Sequence, residues 1–436
     1  MSVENSKSKM KRNGHSLNDN GSAHQTNGHA NGNGHSHANV FGRATLITGG
    51  AGFIGTNVAH RLLSAKQPVL LYDNLSRPGV EQNLKWLRDT HGDLVQFEHG
   101  DVRNRETLRR AVARASQIFH FAAQVAVTTS LDDPIDDFET NARGTLNLLE
   151  AIRALDNRPP LIFTSTNKVY GHMSDVQLVS TDERYEPEDL EIGDHGFSED
   201  RSIHFHSPYG CSKGAAEQYV LDYAKTFGLK TAVFRMSCIY GTHQFGNEDQ
   251  GWVAHFLIRA LNNEPITIYG DGRQVRDVLF VEDLVDAFLL AQKHIGVISG
   301  QVFNIGGGPA NTTSLLELLK LISDLRGRAP EVRFDAWRPA DQQYYVSDTR
   351  RFSEATGWKP QVNVREGVSR LHAWLEQNRS VADALNVNST ARSKGKVVSL
   401  VNHSRTKNLR VKRSSRGKPL FKLNGKPPET ALAKAI

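Results

Sequence analysis

A glycine-rich turn that directly follows a short apolar run constrains the fold of this chain more than any other feature. Residues 44–55 read ATLITGGAGFIG, and a helical pattern of apolar residues follows at 57–63. A strand, a tight turn and a helix in this order are typical of a dinucleotide-binding βα unit. Gly49, Gly52 and Gly55 are spaced so that the turn can form, a diphosphate can approach the main chain and the helix can pack closely on the strand. The free N–H groups of the helix N-terminus then face the anion, so we predict a dinucleotide site here.

An acidic residue stands where such a site needs one. The run 69–72 predicts a second strand, and Asp73 closes it 18 residues after Gly55. A carboxylate at this place can bind the adenosine ribose and repels a 2′-phosphate, so the sequence favours NAD over NADP. Arg77 nearby would act in the opposite direction, because a guanidinium attracts phosphate. We give Asp73 precedence.

Short apolar runs alternate with helical stretches over the first half of the chain, a pattern typical of a parallel sheet covered by helices on both faces. After Gly241 this rhythm loosens into loops, helices and a few strands. We therefore predict an α/β fold, a Rossmann-type doubly wound parallel sheet with a smaller C-terminal substrate-binding lobe over its C-terminal edge. The predicted strands are 46–48, 69–72, 95–99, 117–121, 161–165 and 231–236.

The two ends of the chain differ in composition from its middle. Residues 1–40 are rich in Asn, Gly, Ser and His, and residues 381–436 in Lys, Arg and Ser, so we expect both segments to be disordered. Between them we predict an NAD-binding Rossmann domain at 41–240 and a mainly substrate-binding lobe at 241–380, some segments of which return to the first domain.

The net charge is unevenly divided. Residues 381–436 carry thirteen Lys and Arg against two acidic residues, and residues 1–40 carry four against two. Since the whole chain has a net charge of +6, residues 41–380 carry −7. The basic character belongs to the tail, which predicts no more than weak attraction to nucleic acid, and a solvated tail without a partner is the favoured alternative.

The sequence predicts a soluble, cytoplasmic protein without a membrane partner. It contains no stretch of eighteen apolar residues, and its N-terminus lacks the apolar stretch of a secretory signal. The two cysteines, Cys211 and Cys238, are too few for a disulfide framework and suit a reducing compartment. Five histidines within 1–40 offer a place for a metal ion, but adventitious binding is the commoner outcome for such a tract, and we predict no metal site.

A tyrosine and a lysine four residues apart form a second motif. Tyr209 and Lys213 lie in HSPYGCSKGAAEQY, residues 206–219, and helical spacing places both side chains on one face. An ammonium near a phenol stabilises the phenolate, which a tyrosine needs if it is to act as a base at neutral pH. Such pairs also occur often by chance, and an exposed amphipathic pair is the alternative.

The third motif is the strand-like run LIFTSTNKVYG at 161–171, which ends in hydroxyl side chains and can present Thr166 to a sugar hydroxyl. The pattern TGxxGxxG at 48–55, Thr166 at a strand end and YxxxK at 209–213, in this order, make residues 44–377 resemble the extended short-chain dehydrogenase/reductase family. The resemblance implies that Tyr209 is the catalytic base, that Lys213 holds the nicotinamide ribose and lowers the pKa of Tyr209, and that Thr166 hydrogen-bonds the reacting hydroxyl.

The same resemblance implies contacts with NAD along the whole edge of the sheet. HGDVRN provides the adenine-binding pair, and FAAQV provides the loop that passes the cofactor diphosphate. The residues implied for NAD are Gly49, Gly52, Phe53, Ile54, Gly55, Asp73, Asn74, Asp101, Val102, Ala122, Ala123, Gln124, Thr164, Tyr209 and Lys213.

Smaller details favour an epimerase over a dehydratase. Sugar-nucleotide 4,6-dehydratases of this family carry an Asp-Glu pair directly after the threonine, whereas this chain has Asn167 and Lys168. An amide and an ammonium cannot do that carboxylate chemistry. The stretches STNKVYG, FRMSCIYG, QFGNEDQGWVAHF and GRQVRDVLFVEDL resemble epimerases of the family that invert C2 of a CDP-linked hexose. Helices such as 141–155 and 212–227 often pair between subunits in this family, which implies a homo-oligomer, a dimer or a tetramer.

Contacts with a nucleotide-sugar substrate are implied in the same way. Arg276 and Arg338 stand where related epimerases place arginines on the substrate diphosphate, and a surface ion pair is the alternative for each. UDP-galactose epimerases have an Asn where this chain has Cys238, which argues against that substrate. The residues implied for the substrate are Thr166, His206, Ser207, Cys238, Gln250, Gly251, Arg276 and Arg338.

Two other functions remain open at this point. One is another nucleotide-sugar epimerase or reductase of the same family. The other is a non-catalytic NAD-binding protein, which would have no need to keep Tyr209, Lys213 and Thr166 together.

Overall fold

The computed structural model describes residues 43–338 and 341–379. The predictions made for 1–40 and 381–436 concern residues outside these ranges and stay predictions. Among the described residues, none of the helices combines the length and the apolar character that crossing a bilayer requires.

The strands are short, as is usual for α/β proteins. In chain order they are β1 Ala44–Thr48, β2 Val69–Asp73, β3 Val95–His99, β4 Ala115–His120, β5 Leu161–Thr166, β6 Leu178–Ser180, β7 Tyr185–Pro187, β8 Thr231–Met236, β9 Cys238–Tyr240, β10 Ile266–Tyr269, β11 Val275–Phe280, β12 Gln301–Ile305, β13 Thr312–Ser314, β14 Val332–Asp335 and β15 Tyr344–Tyr345.

The helices connect these strands and cover the sheet. In chain order they are α1 Phe53–Ser64, α2 Val80–His91, α3 Arg105–Ala113, α4 Val127–Asp132, α5 Pro134–Phe138, α6 Gly144–Arg153, α7 Leu190–His195, α8 Ser207–Phe227, α9 Trp252–Leu261, α10 Val281–Ile298, α11 Leu315–Arg326, α12 Arg350–Thr356 and α13 Val364–Gln377. A five-residue π-helical segment, Glu139–Arg143, joins α5 to α6.

The described residues form a seven-stranded parallel sheet in the order β12-β8-β5-β4-β1-β2-β3. The six predicted strands are all present in it, which confirms the predicted Rossmann-type sheet. The seventh strand, β12, was not predicted. The strand order reverses between β1 and β4, and the ends of both strands meet there, with Thr48 opposite His120. Ligands of such sheets bind at this crevice.

Both faces of the sheet are covered. Along β1, Leu46 faces a core that α3, α6 and α8 complete, and Ile47 faces a core that α1 and α10 complete. Successive side chains point to opposite faces, so a sheet buried on both sides needs uninterrupted apolar strands. The helix α10 and the strand β12 both belong to this assembly although they follow 241 in the chain.

A second core lies beyond β8. Ser237 separates β8 from β9, so the chain passes directly from the large sheet into a smaller one in which β9 and β11 run parallel. Helices α9, α11 and α13 bury their apolar faces against β10 and β11, around residues such as Phe256, Ile268, Leu318 and Leu371. This arrangement places β9, the N-terminus of α9 and β11 beside the carboxyl end of the large sheet.

Candidate active site

The turn after β1 leaves the N-terminus of α1 open. Gly49 has a φ of +68°, and a Cβ there would lie 2.7 Å from the backbone N of Ala122. A Cβ on Gly55 would collide with the carbonyl oxygen of Gly49, so the turn and the helix can approach only through glycines. Gly52 is the N-cap residue of α1, so its side chain provides no cap, and the first turn of the helix has no acidic residue. The open N–H groups there fit a diphosphate, with Phe53 and Ile54 in the first turn.

The acidic residues of the neighbouring strand ends order the loops around this turn. The carboxylate of Asp73 accepts hydrogen bonds from the backbone N–H groups of Ala51 at 3.1 Å and Leu75 at 2.8 Å. Burial raises the pKa of Asp73, and these two hydrogen bonds counteract that effect. Each carboxylate oxygen still has a lone pair for a ribose hydroxyl.

Asn74 and Asp101 form the adjoining wall. The amide of Asn74 donates to Asp101 at 3.0 Å, and Arg103 forms an ion pair with the same carboxylate at 2.7 Å. Hydrogen bonding from Arg103 lowers the pKa of Asp101 to about 2, so this group is ionised. Val102 is buried against Gly144, where a Cβ would be too close to its side chain. The residues predicted for the adenosine part thus line one edge of the sheet, as a dinucleotide requires.

The loop after β4 is held by its own hydrogen bonds. The backbone N–H of Gln124 donates to Asn141 Oδ1 at 2.9 Å, and the Asn141 amide donates back to the Gln124 carbonyl at 3.0 Å. The Gln124 side chain bonds both backbone groups of Ala126. Ala122 and Ala123, before it, carry only methyl groups, which leaves the main chain of the loop accessible beside the turn at Gly49.

Tyr209 lies in the first turn of α8 with 8% of its surface exposed. Its backbone N–H donates to the hydroxyl of Ser130 at 3.2 Å, which fixes the start of the helix. Burial raises the pKa of Tyr209 to about 12, while a hydrogen bond with the Thr166 side chain and the charge of Arg77 act in the opposite direction. Thr166, at the end of β5, is therefore next to the phenol.

Lys213 lies one turn further along α8 and is 4% exposed. Its Nζ donates to the carbonyl of Thr164 at 2.6 Å and lies 4.5 Å from the ring centroid of Phe163. Burial lowers the pKa of Lys213 to about 8, and the charges of Asp137 and Glu217 counteract this. That Lys213 lowers the pKa of Tyr209 stays a prediction; in the structure burial raises the pKa of Tyr209, and the charge of Arg77 counteracts this.

A cavity of about 280 Å³ opens in front of Tyr209 and reaches β10 and β11. Its walls come from β5, β9, the N-terminus of α9 and the segment around Arg338. Six of the residues predicted for the substrate line it, namely Thr166, Cys238, Gln250, Gly251, Arg276 and Arg338. The cavity is therefore the candidate substrate site.

The two predicted diphosphate arginines lie in this cavity, and each already has an acidic partner. Arg276 is 6% exposed and forms an ion pair with Asp341 at 2.7 Å. Arg338 forms an ion pair with the Glu248 carboxylate at 3.8 Å, and its guanidinium lies 3.9 Å from the ring centroid of Tyr269. The ion-pair alternative thus describes part of their contacts, but both cations also face the cavity.

His206 and Ser207 do not line the cavity that the described residues form. The imidazole of His206 contacts His172, with ring centroids 4.1 Å apart. Ser207 begins α8 with a φ of +72°, and its hydroxyl accepts from the Gly210 N–H at 3.3 Å. Their contacts in the structure support the start of α8, and through it Tyr209.

The position that separates epimerases from dehydratases faces the cavity. Asn167 and Lys168 both line it, and Lys168 Nζ lies 3.9 Å from Asp341 Oδ1. Cys238 accepts a hydrogen bond from the Trp252 indole at 3.4 Å, and burial raises the pKa of its thiol, so it stays neutral.

Several lining residues were not predicted. Three of them lie in QFGNEDQGWVAHF, a stretch that already resembled the family, namely Glu248, Trp252 and His255. The same resemblance could therefore have identified them. Tyr269 and Asp341 had no signal in the sequence, because only the folded chain brings β10 and the segment after 340 to this cavity.

The site can thus hold a dinucleotide along the edge of the sheet and a second ligand in the cavity, with Tyr209 and Thr166 where the two meet. A phenol and a threonine hydroxyl in hydrogen-bond contact can share a substrate hydroxyl and move its proton. The cations that line the cavity suit a diphosphate, and its polar side chains suit a sugar.

Comparison with known proteins gives consistent results. The model of the NAD dependent epimerase/dehydratase family matches residues 45–306. CDP-paratose 2-epimerase of Salmonella typhi is 44% identical over 338 residues, which covers 76% of this chain and 98% of that protein. The structure of UDP-glucose 4-epimerase from Thermotoga maritima with UDP-glucose has a TM-score of 0.66 at 31% identity and covers 77% of this chain and 99% of its own. The structure of UDP-glucose 4-epimerase from Thermus thermophilus in complex with NAD has a TM-score of 0.63 at 32% identity. The match covers 76% of this chain and 99% of that chain.

Proposed function

The chain belongs to the NAD dependent epimerase/dehydratase family, and on that premise we propose that it inverts C2 of a CDP-linked hexose, as in the conversion of CDP-paratose to CDP-tyvelose. In general class, the protein is an NAD-dependent nucleotide-sugar epimerase, with NAD as the cofactor. The observation that carries the finer proposal is the 44% identity with a C2 epimerase of a CDP-sugar over nearly the whole length of that enzyme. The dehydratase carboxylates are replaced by Asn167 and Lys168 in the cavity, which supports the same assignment.

The proposed mechanism uses the contact between Tyr209 and Thr166. NAD, held by the turn around Gly49 and by the carboxylate of Asp73, would supply the acceptor and donor of the C2 hydride when bound. Thr166 orients the C2 hydroxyl, and Tyr209 accepts its proton at Oη and gives it back after the sugar has turned. Lys213, held by the Thr164 carbonyl, provides a fixed positive charge beside the nicotinamide ribose.

The substrate end of the cavity is proposed to bind the nucleotide diphosphate. Arg276 and Arg338 offer guanidinium groups that match phosphate oxygens in geometry. Both line the same cavity as Thr166 and Tyr209, so we propose that a diphosphate bound by the arginines brings the sugar within reach of Tyr209.

A comparison of nucleotide sugars tests the proposal. The purified protein is incubated separately with CDP-, UDP-, dTDP- and GDP-hexoses, and the products are followed by NMR. We expect a CDP-hexose product inverted at C2 and at no other carbon. Inversion of a UDP-hexose at C4, with CDP-hexoses unchanged, would place the protein with the other epimerases of the family.

The fate of the C2 hydrogen tests the chemistry. An epimerase that works through an enolate takes the new hydrogen from water, whereas oxidation and reduction at one carbon keep the original hydrogen. We expect turnover in D₂O to give product without deuterium at C2, and substrate deuterated at C2 to give product that is still deuterated there. Solvent deuterium at C2 in freshly formed product would rule out the proposed use of Tyr209, Thr166 and NAD in one reaction.

We propose a homo-oligomer, a dimer or a tetramer, and a cytoplasmic location. Helices α4, α5 and α8 pack together and leave large apolar side chains exposed: Leu131 at 48%, Ile135 at 74%, Phe138 at 49% and Tyr219 at 45%. A second copy of the chain would cover them. Cys211 and Cys238 are both free thiols, which suits a reducing compartment.

A further inference from the structure

The short helix α5 carries a buried carboxylate that the proposed mechanism does not use. Asp137 is 0% exposed, although its neighbour Phe138 and nearby Ile135 are at the surface. Burial of a carboxylate is unfavourable unless the group is hydrogen-bonded or has a counter-charge. Asp137 Oδ1 accepts from the Asn141 amide at 3.2 Å, but Oδ2 has no hydrogen-bond partner among the described residues.

The hydrogen bonds of Asn141 connect this carboxylate to both halves of the candidate site. The Asn141 amide also lies 3.0 Å from the hydroxyl of Ser212 and 3.0 Å from the carbonyl of Gln124. Ser212 donates to the carbonyl of Tyr209 at 3.2 Å and directly precedes Lys213. Asp137 is therefore joined to the loop proposed for the cofactor diphosphate and to the turn of α8 that carries both Tyr209 and Lys213.

Among the charged groups that act on Asp137, Lys213 is the cation. Lys213 on α8 and Asp136 on α5 act on Asp137, and the charge of Asp137 acts on the phenol of Tyr209. Asp136 pairs with Arg103 at 2.6 Å, and Glu217 on α8 acts on Lys213. Glu217 forms an ion pair with Arg235 at 2.6 Å and accepts from Ser165 at 2.6 Å. The other buried carboxylate near Lys213 thus has its own arginine, whereas Asp137 has none within the described part of the chain.

Lys213 in turn is a buried ammonium that contacts two neutral groups, the Thr164 carbonyl and the Phe163 ring. Burial lowers the pKa of Lys213, and the charge of Asp137 counteracts that more strongly than Glu217 does. Burial likewise raises the pKa of Asp137, and the Ser212 side chain and the Lys213 charge counteract it. Each group supports the charged form of the other.

We propose that Asp137 is a positioning residue of this site. Its carboxylate is the counter-charge that keeps the Lys213 ammonium charged. It also holds the hydrogen bonds between Asn141 and Ser212 in place relative to Tyr209. Its meaning for catalysis rests on the proposed function, but the coupling between the two charges does not. Asp137 acts through Lys213, through Ser212 and through its charge, which raises the pKa of Tyr209.

The variant Asp137→Asn tests the proposal, with Asp132→Asn as a matched control because Asp132 is exposed at the end of α4. The titration of Lys213 is followed by NMR with lysine labelled with ¹³C at Cε, and its resonance is assigned by its loss in Lys213→Met. We expect the midpoint to fall by about 1 pH unit or more in Asp137→Asn, the lower end of what an opposite charge at short distance provides, and to be unchanged in Asp132→Asn. An equal midpoint in Asp137→Asn and the parent would overturn the proposal.

Turnover gives a second measurement. The alkaline limb of the kcat profile is expected to move to lower pH in Asp137→Asn by the same amount, with the KM for the nucleotide sugar nearly unchanged. If the NMR shift is found and no nucleotide sugar is turned over by the parent, the charge coupling stands and the proposed function fails. If kcat falls equally at every pH while the midpoint stays, Asp137 has a purely structural role.

A reciprocal measurement keeps the proposal testable should Asp137→Asn not fold. Coupling between two titrating groups acts on both, so removal of the Lys213 charge must affect Asp137. In protein labelled with ¹³C at the aspartate carboxyl, with the Asp137 resonance assigned by its loss in Asp137→Glu, Lys213→Met is expected to raise the midpoint of Asp137. An unchanged midpoint there would equally overturn the proposal.

Discussion

At the scale of single residues, the burial of Tyr209 sets the main chemical requirement of the site. Burial raises the pKa of Tyr209 to about 12, so the phenol is protonated at neutral pH in the described state. A base with such a pKa depends on positive charge that comes with the bound ligands, on Arg77 and on the shared hydrogen bond with Thr166. We therefore expect Tyr209 to act as a base only when the site is filled.

Replacement of Tyr209 by Phe removes the phenolic oxygen and keeps the ring that packs at the start of α8. We expect turnover to fall by a factor of about 10² or more, the usual scale for loss of a general acid–base group. NAD binding and the melting temperature are expected to stay near the parent values, because the Ser130 contact is made by the backbone. Steady-state kinetics and cofactor titration measure both, and a Tyr209→Phe variant with the parent kcat would show that another group is the base.

His120 makes the stability sensitive to acid. It is buried between the hydroxyls of Thr48, at 2.6 Å, and Thr145, at 3.1 Å, and burial lowers the pKa of His120 to about 3. The pKa of His120 is lower in the folded state than in the unfolded state, so the unfolded state binds more protons as the pH falls. The contribution of His120 to stability is therefore complete above about pH 6.5 and is lost as the pH falls toward 3. This residue alone is expected to contribute a slope of up to about 1.4 kcal/mol per pH unit in that interval.

Urea midpoints at pH 7, 6 and 5 for the parent and for His120→Gln measure this slope. We expect a flatter dependence in the variant, even if it is less stable at pH 7. The same slope in both proteins would mean that His120 does not titrate on unfolding.

The site residues that the sequence analysis identified most directly belong to local motifs. Gly49, Gly52, Tyr209 and Lys213 are recognisable because a tight turn and one helix face each place them within a few positions of each other. Asp137 and Asp341 gave no such signal. The contact of Asp341 with Lys168 joins positions 173 residues apart, and only the packing of two cores brings them together.

At the scale of secondary structure elements, periodicity found six strands and missed β12. The predicted bounds agree with the structure to within two residues, because uninterrupted β-branched and aromatic runs are what a doubly covered sheet requires. QVFNI, the sequence of β12, is interrupted by Gln301 and Asn304, and it lies in the chain between elements of the second lobe. Its pairing with β8 is decided by tertiary structure and cannot be derived from the run itself.

The apolar surface of α4 and α5 gives a prediction about assembly. Ile135 is 74% exposed on α5 beside Phe138, and a charge introduced there would be buried in any interface that covers this surface. We expect Ile135→Glu to lower the molar mass measured by light scattering after gel filtration, and Leu190→Glu, at an equally exposed leucine on α7, to leave it unchanged. A parent-like mass for Ile135→Glu at micromolar concentration would place the interface elsewhere.

At the scale of the whole molecule, the terminal segments are predicted to be dispensable. Residues 1–40 and 381–436 contain too little apolar sequence to form part of a core. We expect a chain of residues 41–380 to keep the parent melting temperature and turnover, and to lose only a weak, salt-sensitive binding to polyanions. A collapse of activity after removal of 381–436 alone would mean that this tail acts at the site.

The order of the strands also has a consequence for how the protein is made on the ribosome. The large sheet is complete only when β12 pairs with β8, and 64 residues of chain, including α9, β11 and α10, lie between the end of β8 and the start of β12. Synthesis proceeds from the N-terminus, so β8 is an unpaired edge strand during that interval and a template for pairing with other chains. A nascent chain that stops near residue 240 therefore lacks the last strand of the large sheet, and we expect this sheet to be complete only after β12 has emerged.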